Sequence, residues 1–165
     1  MLAFISVFAQ KGFNNVSAFK YDERRVSNSP LPTDDPRNNE TINLSKKLLK
    51  HFNKKFHNAG NVKWEQVDDY FLATFIKNHL TAESLFDRKG RLIYTIDYSN
   101  GEELPDNVKN LIMHNYKTYI ITSVAKVEGD GRKIWVVKLA GTKDYITARV
   151  EDGEIEETEN FEKAN

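Results

Sequence analysis

The chain of 165 residues has no cysteine. A disulfide framework, a thiolate zinc site and a cysteine nucleophile are thereby excluded. It has no surplus of either charge, since 24 Lys and Arg stand against 24 Asp and Glu. A dedicated nucleic-acid binder usually carries a basic excess, so no nucleic-acid partner is expected. No apolar run approaches the ~20 residues that cross a bilayer, so no membrane span is expected in the mature chain. Proline is scarce, and Pro30, Pro32 and Pro36 crowd three of the four into one stretch. What is there is an ordinary globular mixture. A chain of ~150 residues buries about two-thirds of its unfolded surface, enough for one core without staples.

The first residues stand apart. Leu2 to Phe8 is a short apolar run, and Val7-Phe8-Ala9 offers small or modest residues where a signal peptidase cuts. Residues 1–9 therefore read as the remnant of a secretory signal cleaved after Ala9. The basic segment that opens such a signal is missing, which places the expected true start upstream of Met1. Residues 10–43 read as a flexible N-terminal segment and linker. Its Ser27-Asn28-Ser29-Pro30-Leu31-Pro32 core cannot donate a regular hydrogen-bond ladder. The domain proper is expected over residues 44–162.

Leu44 to His57 has helical periodicity. Leu44, Leu48, Phe52, Phe56 and Leu49 fall within one arc, and Lys46, Lys47, Lys50 and Lys54 lie opposite. Asn58-Ala59-Gly60-Asn61 ends the helix, with Gly60 suited to a left-handed cap. Strands follow at Val62–Val67, Tyr70–Lys77, Thr81–Phe86 and Arg91–Tyr98, with Gly90 placed for positive φ in the last hairpin. In the fourth strand the alternation puts Leu92, Tyr94, Ile96 and Tyr98 on one face. The pattern then restarts. Glu102-Glu103-Leu104-Pro105-Asp106 opens a second helix, with an early proline and acids at its positive end. Its stripe is Val108, Leu111, Ile112, Tyr116 and Tyr119. Four more strands follow, over 120–127, 133–139, 145–150 and 155–161.

The two halves align at an offset of 63, which pairs Gly90 with Gly153, Phe71 with Ile134 and Leu48 with Leu111. The expected fold is α+β, a tandem duplication of a helix plus four-stranded antiparallel sheet unit. The repeats span 44–100 and 101–162, with the helices packed on one sheet face.

These residues carry a resemblance. The run Leu48-Leu49-Lys50-His51-Phe52, Val62-Lys63-Trp64, Phe71-Leu72-Ala73-Thr74-Phe75 and Phe86-Asp87-Arg88-Lys89-Gly90 to Tyr94-Thr95 resembles the PepSY-like family. That family is also described as similar to the β-lactamase inhibitory protein (BLIP-like) and occurs in secreted proteins of Bacteroidetes. Leu104-Pro105-Asp106-Asn107-Val108 through Val150-Glu151-Asp152-Gly153-Glu154 is similar to the second copy of the unit. The resemblance spans about residues 44–162 and implies a periplasmic or secreted location, two repeats and no catalytic residues. Its inhibitor-like name implies a protein-binding sheet face.

A search for chemistry finds little. His51, His57, His79 and His114 have no metal-binding spacing, and no H-E-x-x-H occurs. The doublets Asp68-Asp69, Glu102-Glu103 and Glu156-Glu157 do not make an acid–base pair, because neighbours on a strand point to opposite faces. Gly129-Asp130-Gly131 reads as a hairpin, and no G-x-S-x-G elbow is present. No catalytic residue, metal or cofactor is expected, and the protein is read as no enzyme.

Aromatics give the better lead. Trp64, Tyr70, Tyr94, Tyr98, Trp135 and Tyr145 all fall on expected strands. Those that point away from the helices would anchor a protein or peptide, since Trp and Tyr dominate interface hot spots. The expected function is a non-enzymatic secreted or periplasmic protein-binding module of inhibitor type. The alternative is a small-molecule or carbohydrate carrier, in which aromatics stack on the ligand. Finally, the neutral total hides a gradient. Residues 1–60 carry 10 basic and 5 acidic groups, while residues 129–165 carry 6 and 9. The two ends read as solvated faces; the alternative is that the acidic end helps hold the basic helix, or that each end is a docking patch.

Overall fold

The structure is a computed structural model that describes residues 43–164. The expected signal remnant at 1–9, and all but the last residue of the expected linker, lie outside the described residues. The elements run α1 (Lys46–Lys55), β1 (Gly60–Val67), β2 (Tyr70–Lys77), β3 (Leu80–Asp87) and β4 (Leu92–Ser99). They continue with α2 (Asp106–Asn115), β5 (Ile120–Gly129), β6 (Arg132–Ala140), β7 (Asp144–Glu151) and β8 (Glu154–Glu162). The fold is α+β. All eight strands join in one antiparallel sheet in sequence order, because β4 pairs with β5.

Local chemistry sets the ends of the helices. Ser45 caps α1, its hydroxyl accepting from the Leu48 N–H at 3.2 Å. The helix closes at Phe56, whose N–H donates to Phe52 O. Positive φ falls on Asn61, not on the expected Gly60, which already opens β1. The second helix starts later than its sequence suggests. Asn100 Oδ1 accepts from the Glu102 N–H at 3.1 Å, and the Leu104 N–H donates to Gly101 O. That turn holds residues 101–104 out of the helix, Pro105 becomes the N-cap, and Leu104 enters the core.

The helices cover the same sheet face. Leu48 and Phe52 of α1 pack on Phe71, Ala73, Phe75, Ala82 and Phe86. Val108 and Ile112 of α2 pack on Val124, Val137, Leu139, Ile146, Ala148 and Val150. Leu111, which the offset of 63 paired with Leu48, is only partly buried. Around Phe52, the rings of Phe56, Trp64 and Phe75 stand 5.1–5.2 Å away in tilted or edge-on geometry.

Between the two apolar clusters runs a charged seam, over β4 on the same face. Asp97 meets Lys77 at 3.1 Å and Lys126 at 2.9 Å, and Glu128 meets Lys126 at 3.2 Å and Lys133 at 3.4 Å. Burial raises the pKa of Asp97, but hydrogen bonds from Lys126 and Lys77 outweigh it and hold the carboxyl below its ordinary value.

A bulge corrects one face assignment. Leu85 pairs with Tyr94, but Phe86 pairs with Leu92, so Ile93 is the extra residue. Leu92 therefore joins the helix-side cluster, while Tyr94, Ile96 and Tyr98 keep the other face.

Candidate functional site

Register assigns each of the six aromatics to a face, since directly paired residues point the same way. Trp64 pairs with Ala73, and Trp135 with Lys126 and Val150, which puts both indoles on the helix side. The Trp64 ring stands edge-on to Phe52 and 5.9 Å from Phe86. Trp135 packs against the second cluster. Both are packing residues of the covered face.

The four tyrosines take the opposite face, on which neither helix lies. Tyr70 pairs with Asp87, Tyr94 with Leu85, Tyr98 with Ala125, and Tyr145 with Ala140 and Phe161. Tyr94 and Tyr98 flank Glu83. The Tyr98 hydroxyl donates to Glu83 Oε2 at 3.3 Å. Burial, followed by the Glu83 charge, pushes the Tyr94 phenol up to about 12, so it stays a neutral donor at physiological pH. Tyr70 stands near them, because Leu72, two residues along its strand, pairs with Leu85 opposite Tyr94. Tyr145 is remote. Five strand spacings of ~4.8 Å put it roughly 24 Å from Tyr70 along the sheet. The face is thus a strip with tyrosines toward both ends and not one pocket.

Charged residues that sequence reasoning did not single out occupy the second half of this face. Arg132 grips Glu151 through Nε at 2.6 Å and Nη2 at 2.8 Å. Arg149 also bonds Glu151 and reaches Glu156 at 3.5 Å. The Arg132–Glu151 pair is bidentate, which fixes its geometry. Arg149 and Glu151 sit two apart on one strand, and that spacing was the available signal. The Arg132 partner depends on register, which the sequence did not supply. Phe161 is a further omission. It is half-exposed beside Tyr145, whose ring lies 4.6 Å from Lys163 Nζ.

Among the described residues, no group of three His, Cys, Asp or Glu side chains is placed to hold a metal ion. No helix among them is long and apolar enough to cross a membrane. The face carries phenols and paired charges around Leu72, Leu85, Ile96, Val127 and Ile134, of which Leu85, Val127 and Ile134 are buried and Leu72 and Ile96 half-buried.

No protein-family model and no curated protein matches the chain. Solved structures do. A BLIP-like protein from Bacteroides fragilis is 19% identical, with a TM-score of 0.64 over 76% of this chain and 92% of that one. A DUF2874 family protein from Bacteroides ovatus is 20% identical, with a TM-score of 0.60 over 70% and 89%. A candidate periplasmic protein from Bacteroides eggerthii is 15% identical, with a TM-score of 0.62 over 72% and 90%. The resemblance read from the sequence and the likeness in structure point to the same group, and this chain has the fold of the BLIP-like and DUF2874 proteins of Bacteroides.

Proposed function

We propose that the protein is a non-enzymatic periplasmic or secreted module that binds another protein, inhibitor-like, on the sheet face opposite its helices. The observation that carries this reading is the placement of Tyr70, Tyr94, Tyr98 and Tyr145 on that face. Phenols there supply large contact area at low entropic cost. The likeness to BLIP-like and candidate periplasmic Bacteroides proteins supports it. Export with cleavage after Ala9 belongs to the same reading. N-terminal sequencing of the exported protein should begin at Gln10, and retention of Met1 refutes it.

Cross-linking and capture from periplasmic extract compares the wild type with a Tyr70→Ala/Tyr145→Ala variant. Loss of specific partners in the variant is expected, and an unchanged set sinks the tyrosine-face reading. Retention of a soluble glycan or small ligand, with no protein captured, would favour the carrier alternative.

The two halves are further proposed to be copies of one unit. Leu48 and Phe52 in α1 match Val108 and Ile112 in α2 at 60 positions, and Phe75 and Ala82 match Leu139 and Ile146 at 64. The difference lies in one hairpin. The β1–β2 ladder ends at Val67 and Tyr70, whereas β5–β6 continues past Val127 and Ile134 to Gly129 and Arg132. A single offset misses this insertion. A chain built from residues 101–162 in duplicate should fold to the same sheet, as read by its circular dichroism and hydrodynamic radius. An unfolded or aggregated product counts against the repeat.

A further inference from the structure

We propose that the lysine face of α1 is a docking surface for the glutamate-rich edge strand β8 of a second copy of this chain, joined head to tail. The inference is independent of the tyrosine face. Lys46, Lys47, Lys50, Lys54 and Lys55 are all exposed on a ten-residue helix that contains no acid. Lys46, Lys50 and Lys54 repeat at i, i+4, a spacing at which like charges destabilise a helix. Lys46 and Lys47 also lie in its first turn, at the positive end of the helix dipole. None of the five makes an ion pair or hydrogen bond among the described residues. The apolar side of α1 is already spent, because Leu48 and Phe52 are buried against β2 and β3. The helix therefore offers a partner charge and no insertable face.

The complement lies on the same molecule but out of its own reach. Glu154, Glu156, Glu157 and Glu162 are exposed along β8, and the first base after them is Lys163. Lys163 is turned inward, its Nζ donating to Gly141 O at 2.7 Å. The strands β1 and β8 are the opposite edges of the sheet. The helix α1 packs over β2 and β3, so five to six spacings of ~4.8 Å put it roughly 24–29 Å from β8 along the sheet. At that distance α1 and β8 do not neutralise each other within one molecule in physiological salt. Of the readings of the charge gradient, the intramolecular one therefore fails.

Topology permits the contact. An antiparallel sheet with an even number of strands leaves its edges running in opposite directions. A copy displaced along the sheet brings its β1 beside β8 with the alternation continued and its α1 on the helix side of the sheet. On that side β8 presents Glu157 and Glu162, which pair with Ala148 and Asp144. The zero net charge removes the general repulsion that would oppose such stacking. Irregular pairing at Gly60/Lys63 and at Thr147/Ala148 twists both edges. The contact is thus one between side-chain charges and not a continued hydrogen-bond ladder.

Sedimentation velocity of the full chain tests this. Exposed ion pairs are individually weak, so association should appear at high protein concentration in about 10 mM salt, where charges act over ~30 Å. It should weaken at least about tenfold in about 0.5 M salt. Reversal at Lys46→Glu, Lys47→Glu, Lys50→Glu and Lys54→Glu should abolish self-association. So should reversal at Glu154→Lys, Glu156→Lys, Glu157→Lys and Glu162→Lys. Mixing the two reversed variants should restore a complex. A control reversed at the exposed Lys89, Lys109, Lys117 and Lys143 has the same net charge as the α1 variant but keeps both docking faces, so it should still self-associate. A wild type that stays monomeric at low salt overturns the proposal, as does a control that loses self-association as completely as the α1 variant. Binding of the monomer to vesicles containing anionic lipid, without self-association, would assign the lysine face to a lipid surface and overturn it equally.

Discussion

Gly90 and Gly153 close corresponding hairpins, yet substitution at the two should not cost the same. Both have positive φ, +74° at Gly90 and +81° at Gly153. An L-residue held there costs about 1–2 kcal/mol. At Gly153 nothing lies within 4 Å of an added Cβ, so that conformational cost is the whole cost. At Gly90 the added Cβ would stand 2.9 Å from Leu48 Cα and 3.1 Å from Leu48 N. Those are backbone atoms of α1, and no side-chain rotation relieves the overlap. The helix must shift off the sheet, and its hold on the Phe71–Phe86 cluster loosens. Overpacking of this kind costs about 1–3 kcal/mol. Another tie is lost with it, since His51 Nδ1 lies 2.7 Å from Gly90 O. Gly90→Ala should therefore destabilise by about 2–5 kcal/mol and Gly153→Ala by about 1–2 kcal/mol. In a domain of this size, at about 4 °C per kcal/mol, the first corresponds to a Tm lower by roughly 8–20 °C. Thermal and urea unfolding followed by circular dichroism measures both. Equal losses for the two variants would refute the claim that the Gly90 turn is pressed against the α1 backbone.

Other outcomes follow from the same geometry. Trp64→Ala should cost about 2–4 kcal/mol, because the indole fills space beside Phe52 and Phe86, whereas the half-exposed Tyr145→Ala should cost under about 1 kcal/mol. Urea titration separates the two. The Tyr94 phenol is raised in the folded state, so the fold holds its proton through a range where the unfolded chain has lost it. Stability should fall by about 3 kcal/mol as pH rises from 10 to about 12, and Tyr94→Phe should flatten that slope. Asp97 behaves in the opposite sense. Its carboxyl is lowered by Lys126 and Lys77 against the effect of burial, so its contribution is present above the ordinary carboxylate pKa and is lost as pH falls below it. For this partly exposed group the loss is about 1 kcal/mol, and Asp97→Asn should show a shallower fall in Tm on acidification.

The element order was legible because periodicity is strong here. Every strand and helix occurs where alternation or the 3.6-residue stripe places it, within a few residues. The misplaced boundaries have local causes. The start of α2 was set by the Asn100 side chain and the Gly101 turn, both short-range competitors of the helix. The joining of all strands into one sheet was not legible, because the β4–β5 pairing spans α2 and leaves no local signature. The candidate site was half legible. Residue type singled out six aromatics, but face depends on register. The bulge after Leu85 moved Leu92 to the helix side while leaving Tyr94 where alternation put it. The Arg132–Glu151 grip depends on the same unreadable quantity.

The seam of Lys77, Asp97, Lys126, Glu128 and Lys133 divides the apolar interior in two. On the helix side each helix shields its own strands, and neither of the two clusters there crosses the boundary. What couples the halves is therefore the β4–β5 ladder, with salt-sensitive charges on one face and the apolar row of Leu85, Ile96, Val127 and Ile134 on the other. Sheet pairing is otherwise between neighbours in sequence, so each half closes its loops cheaply and collapses before the boundary is made. Added salt weakens only the charged side of that boundary, so native-state amide exchange at β4–β5 should quicken with salt while exchange within each half does not.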